Sequence, residues 1–128
     1  MNGTDSKDRK RQMQRAIKPT DIWMVSLTES IDSEQRGQRP VVVIAVHSHA
    51  NVSMVVPLTS NQDASRFPYS YKVACTSGNG LSADSVALVF QMRSLTMSAG
   101  RFLFRMGRIE QKEFAEIKAL IKDYLQIE

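Results

Sequence analysis

The chain has 128 residues, 42% of them hydrophobic, with a formal net charge of +4, one cysteine and two histidines. That size allows one domain with a real core, and no apolar run approaches the roughly 20 residues a membrane-spanning helix needs. Cys75 alone excludes an internal disulfide or a cysteine metal cluster. His47 with His49 are too few for a histidine zinc site unless carboxylates complete it, with no matching cluster in the sequence; no metal and no cofactor are expected.

The charge is local. Residues 1–18 hold Lys7, Arg9, Lys10, Arg11, Arg15 and Lys18 against Asp5 and Asp8, and the rest of the chain is neutral overall. This composition predicts a mostly disordered basic leader over 1–18, with a nascent helix near 8–17 stopped by Pro19, and one domain over 19–128. A basic leader adds non-specific attraction to nucleic acid or is simply solvated. Nothing in it reads as a secretory signal, and a reduced, cytoplasmic setting is expected.

In chain order, Asp21-Ile22-Trp23-Met24-Val25-Ser26-Leu27 predicts a first strand, with Trp23, Val25 and Leu27 on one face. A polar loop over 28–38 leads to the unbroken apolar run Val41-Val42-Val43-Ile44-Ala45-Val46, which reads as a buried second strand. A turn over 48–51 returns the chain as a third strand over 52–59, antiparallel to the second. Pro57 inside it predicts an edge position or a bulge. Further strands are expected over 69–74, 85–93 and 101–107, separated by a polar loop over 61–68 and turns at 76–80 and 98–100. Cys75, at a strand end, reads as a small core hydrophobe. Phe114, Ile117, Leu120, Ile121, Tyr124 and Leu125 recur at helical spacing, so 110–126 is an amphipathic helix with Glu110 and Glu113 in its first turn. The fold class is mainly β: a strongly bent antiparallel sheet or small barrel closed by a C-terminal helix.

The candidate chemistry gathers at one end of the central hairpin. Arg39 begins the second strand and Thr59 ends the third, so both lie opposite the turn at 48–51, with Glu34 and Gln35 in the loop entering that end. Taken singly, Arg39 reads as a surface ion pair and Thr59 as a loop or capping residue. Together they form a cation and a hydroxyl at one edge, suited to a phosphate. His47 and His49 flank the far turn without a partner lysine.

These motifs resemble the MazF/PemK toxins of type II toxin–antitoxin pairs. The resemblance rests on Asp21-Ile22-Trp23, on Ser33-Glu34-Gln35-Arg36-Gly37-Gln38-Arg39-Pro40-Val41, and on Val56-Pro57-Leu58-Thr59-Ser60. It extends through Gly80-Leu81-Ser82, Ser85-Val86-Ala87-Leu88 and Gln91-Met92-Arg93-Ser94. It implies an SH3-like barrel, a homodimer, and metal-independent cleavage of single-stranded RNA or mRNA by 2′-hydroxyl attack, leaving a 2′,3′-cyclic phosphate and a 5′-hydroxyl. It also implies inhibition by a cognate antitoxin whose acidic, flexible tail covers the cleft. Arg39, Thr59 and Glu34 are the implied catalytic residues. Ser33, Gln35, Arg36, Ser60, Phe90, Gln91 and Arg93 are the implied substrate contacts. One position departs: many members carry an acidic residue where this chain has Phe90, which either stacks on a splayed base or fills the core. Two alternatives follow from this: a non-nuclease gyrase binder of the CcdB kind on the same scaffold, or a weakened toxin acting mainly in its antitoxin complex.

Overall fold

Apolar residues at every second strand position build the two faces of one antiparallel sheet. The computed structural model describes residues 3–27 and 37–128. Within these, helix α1 (Gly3–Ala16) precedes strands β1 (Asp21–Ser26), β2 (Gln38–His47), β3 (Val52–Thr59), β4 (Ser70–Val73), β5 (Ser85–Leu88), β6 (Arg93–Thr96) and β7 (Phe102–Arg108). Helix α2 (Gln111–Leu125) closes the chain. The strand order is β4-β5-β3-β2-β1-β7, with β6 also on β3.

Ile22, Val42, Val56, Leu58 and Ala87 point to one face and are covered by Phe114 and Ile117 of α2, with Leu120 and Ile121 at the margin. Burying each of those two large side chains contributes about 1.5–3 kcal/mol. Trp23, Val25, Val41, Val43, Val55 and Leu95 form the second face with Met97 and Phe102. The rings of Trp23 and Phe102 meet edge to face, their centroids 5.6 Å apart.

Three expectations change. The leader is not mostly disordered: residues 3–16 form α1, whose Met13 and the following Ile17 pack on the second face. Gln14 Nε2 donates to Asn51 Oδ1 at 2.7 Å, which helps hold α1 to the hairpin. An isolated helix this short is marginal in water, so this packing supplies what local propensity does not. The bulge lies in β2, not at Pro57: the register passes from Val43↔Val55 to Ala45↔Met54, leaving Ile44 as the extra residue. The strand expected over 85–93 is broken by a 3-10 turn, Val89–Gln91.

Pro57 lies where β3 changes partner across that break. One side of β3 pairs with β6 through Val52 to Val55 and with β5 through Leu58 and Thr59. The hand-over spans Val56 and Pro57, and proline has no N–H to offer a ladder. The chain turns its corner there and presents Phe90 and Gln91.

Candidate functional site

Arg39 lies opposite Val25 of β1 and is half-buried. The β2–β3 register runs Val41↔Pro57, Val42↔Val56, Val43↔Val55. The ladder ends at Val41↔Pro57, and Arg39 and Thr59 each stand two residues beyond that last pair, at the same end of the sheet. Thr59 in turn faces Val86, which faces Lys72 of β4. Residues directly opposite in antiparallel strands share a face, so Lys72, Val86 and Thr59 form one transverse row, with Arg39 on the neighbouring strand past the last β2–β3 pair. At about 4.8 Å per strand, Lys72 stands roughly 10 Å from Thr59 along the sheet. Lys72 escaped the sequence reading because only the β4–β5 pairing places it.

Thr59 Oγ1 accepts the Asn61 amide at 3.2 Å. With that acceptor site used, the hydroxyl proton remains to donate to an anion. Arg93 lies opposite Val55, and its Nη1 donates to the Leu27 carbonyl at 3.4 Å. Leu27 itself donates to the Gly37 carbonyl at 2.7 Å. Leu27 and Gly37 are thus held together at the end of the sheet that carries Arg39. Ser33, Glu34, Gln35 and Arg36 lie outside the described residues.

Ser60 and Gln91 are exposed, and Phe90 is half-buried against Ala64, Val86 and Leu88. Arg39, Thr59 and Ser60 thus share one end of the sheet, with Phe90, Gln91 and Arg93 on the corner and strand that border it. His47 and His49 are exposed at the opposite hairpin end. Cavities of about 630 and 370 Å³ lie elsewhere, between α1 and Trp23 and beside Asp21, whereas one of about 170 Å³ adjoins this end of the sheet, lined by Ser60 with Pro40, Leu58, Leu81 and Ser85.

Cys75 is exposed, not a core residue. Its amide donates to Asp84 Oδ1 at 2.9 Å. The hydrogen bond to Asp84 holds the Cys75 thiol above its ordinary range, and the Cys75 amide holds the Asp84 carboxyl below its own. A disfavoured thiolate is a poor nucleophile. Among the described residues, no group of three or more His, Cys, Asp or Glu side chains is placed to hold a metal ion, and no helix is long and apolar enough to cross a membrane.

A bent seven-stranded sheet closed by a C-terminal helix, with a basic and hydroxyl-bearing edge, is a small SH3-like β fold. The family profile of "PemK-like, MazF-like toxin of type II toxin-antitoxin system" matches residues 18–125, and the chain belongs to that family. Among solved structures, MazF from Deinococcus radiodurans is similar at a TM-score of 0.67 and 20% identity, covering 87% of this chain and 97% of its own. The Mycobacterium tuberculosis toxin MazF-mt6 gives 0.65 and 15%, over 84% and 98%. An endoribonuclease in complex with its cognate antitoxin, from a Mycobacterial species, gives 0.61 and 14%, over 88% and 96%. These likenesses share the fold. No curated protein matches at a significant level.

Proposed function

We propose that this toxin is an endoribonuclease acting on single-stranded RNA. The ribose 2′-oxygen attacks the adjacent phosphorus, the P–O5′ bond breaks, and a 2′,3′-cyclic phosphate and a 5′-hydroxyl result. The observation that carries the reading is that Arg39 and Thr59 each stand two residues beyond the last β2–β3 pair, Val41↔Pro57, at one end of the sheet. Arg39 supplies a planar, permanent cation where negative charge grows on the phosphorane. Thr59 donates its hydroxyl to a phosphate oxygen. Glu34 takes the 2′-hydroxyl proton or reads a base edge. Ser33, Gln35, Arg36, Ser60, Gln91 and Arg93 position the strand. Family membership supports the reading, as does the likeness to proteins named as endoribonucleases.

The protein works as a homodimer and is inhibited by an acidic antitoxin tail laid over the same cations. Similar toxins crystallised with MazE or with a cognate antitoxin support such a partner. Incubation with a long RNA in EDTA, followed by mapping of the ends, tests the chemistry. Cyclic-phosphate ends are expected, with a loss on the order of a hundredfold or more in Arg39→Ala. Intact RNA, or cleavage indifferent to Arg39→Ala, overturns the proposal. Sedimentation at micromolar concentration tests the dimer, and a monomer there would count against it.

One observation favours a second reading. Phe90 stands where many members carry an acid, which suits a non-nuclease binder of gyrase. Inhibition of supercoiling without RNA cleavage would reverse the ranking.

A further inference from the structure

We propose that Phe67, Phe90 and Arg66 form a stacking subsite beside Thr59 for an unpaired base of the RNA next to the cut phosphate. The proposal rests on the endoribonuclease reading above and names a part of its substrate grip. Val86 is the hinge of the geometry. It lies opposite Thr59, and Leu88, two residues on along β5, shares its face. Ala64 buries against Val86 and Leu88, with Phe90 packed on the same cluster. The 3-10 turn Gln62–Arg66 therefore sits on the Thr59 face, starting from Thr59 itself through Ser60 and Asn61. It delivers Phe67 to Phe90, with ring centroids 5.8 Å apart and planes tilted by 58°. The Arg66 guanidinium lies 5.7 Å from the Phe67 centroid.

The turn is held at both ends. Asn61 Oδ1 accepts the Asp63 amide at 3.1 Å, and Gln62 Nε2 donates to the Asp84 carbonyl at 2.8 Å. Ser70 Oγ donates to the Phe67 carbonyl at 2.7 Å, and the Tyr124 hydroxyl donates to the Phe90 carbonyl at 3.4 Å. The platform is thus formed before any ligand arrives, which lowers the cost of binding. Yet Phe67 stays 49% exposed at the end of a polar loop. A ring fixed in place, left in solvent and flanked by a guanidinium suits a flat, electron-rich partner. Arg66, Lys72 and Arg39 on this side of the sheet select for a partner that also carries phosphates. Both conditions are met by single-stranded RNA threading from Thr59 towards the corner. On this reading Phe90 is neither plain core nor a defective acid: it packs the cluster with one side and backs the stacking ring with the other.

The test measures binding of fluorescent single-stranded 2′-deoxy oligonucleotides of mixed sequence, which lack the attacking hydroxyl and so bind without being cut. Cleavage of a long RNA is mapped in parallel. Phe67→Ala, confirmed folded by its melting curve, is expected to weaken binding roughly five- to a hundredfold and to change the distribution of cut sites. Phe67→Trp should bind as well as the parent or better. Phe90→Leu keeps an apolar side chain on Ala64 and Val86 while removing the ring, and should reproduce part of the loss. Binding and cut sites indifferent to Phe67→Ala, in a protein that cleaves RNA, overturn the subsite alone. A parent protein that neither binds these oligonucleotides nor cuts RNA overturns both readings. Weakened capture of the antitoxin in Phe67→Ala, with nucleic-acid binding unchanged, also overturns the subsite.

Discussion

Arg105 Nε donates to Asp21 Oδ1 at 3.1 Å across β1 and β7, and the carboxylate, 4% exposed, also accepts the Lys18 amide at 3.0 Å and the Trp23 indole N–H at 3.2 Å. One acid therefore ties the chain leaving α1, the first strand and the edge strand together. In the Asp21-Ile22-Trp23 motif, Asp21 and Trp23 thus have a structural role. Asp21→Ala leaves three donors without their acceptor, and is expected to cost about 3 kcal/mol in urea unfolding. Arg105, whose side chain is 46% exposed, can be solvated when unpaired, so Arg105→Ala should cost less, about 1–2 kcal/mol. Asp21→Asn, which keeps an acceptor oxygen, should recover part of the loss. Equal and negligible effects would show that the pair does not hold this corner.

Two glycines seat the 76–80 turn against β7. A Cβ on Gly107 would stand 2.4 Å from the Gly78 carbonyl oxygen, and Gly80, at φ +70°, would place one 2.1 Å from that of Met106. Neither backbone can yield without breaking the Arg108 amide bond to the Gly78 carbonyl at 3.0 Å. Gly107→Ala is expected to cost about 3 kcal/mol or to prevent folding. Gly80→Ala should be at least as severe, because its φ adds strain. Gly100→Ala, which meets open space, is the matched control and should fall within about 0.5 kcal/mol of the parent.

Tyr71 joins α2 to the sheet by donating to the Glu116 carboxylate. Burial, then that hydrogen bond and the charges of Glu116 and Glu113, push its phenol from 10 up to about 12. The folded protein keeps this proton over a range where the unfolded chain has lost it. Its contribution is therefore full below about pH 10 and is lost as pH rises through about 12. Urea midpoints measured from pH 8 to 11.5 should fall more steeply in the parent than in Tyr71→Phe. Parallel curves would mean the bond does not form in solution.

Periodicity made the sheet legible, and local pattern could not show its closure. Alternation along 21–26 and 52–59 and the spacing of Phe114 and Ile117 specify faces, so strands and helix emerged close to their observed bounds. The corner at Val89–Gln91 was hidden, since Val86 to Phe90 is apolar throughout and the break shows only where β3, in another part of the chain, passes from β6 to β5 around Pro57. Arg39 and Thr59 could be brought together from one hairpin. Lys72 could not, because its place depends on β4 meeting β5 across the intervening 74–84 segment. Cys75 was misread for the same reason: a strand end reveals its side chain's exposure only once Asp84 is seen against it. Phe67 left a readable trace, as a lone aromatic closing a polar loop beside Arg66.

Thr59 gives the narrowest test of the proposed chemistry. Its Oγ1 accepts the Asn61 amide, so the hydroxyl has one proton to place, and the Arg39 side of the row is where a phosphate would receive it. Thr59→Val preserves shape and the contact with Val86 while removing that donor, so the melting temperature should change little. Single-turnover cleavage of an RNA with mapped sites should slow on the order of a hundredfold. Thr59→Ser restores the hydroxyl and should recover most of the rate. If Thr59→Val cleaves like the parent, the hydroxyl only caps the turn at Asn61, and the chemistry must rest on Arg39 without it.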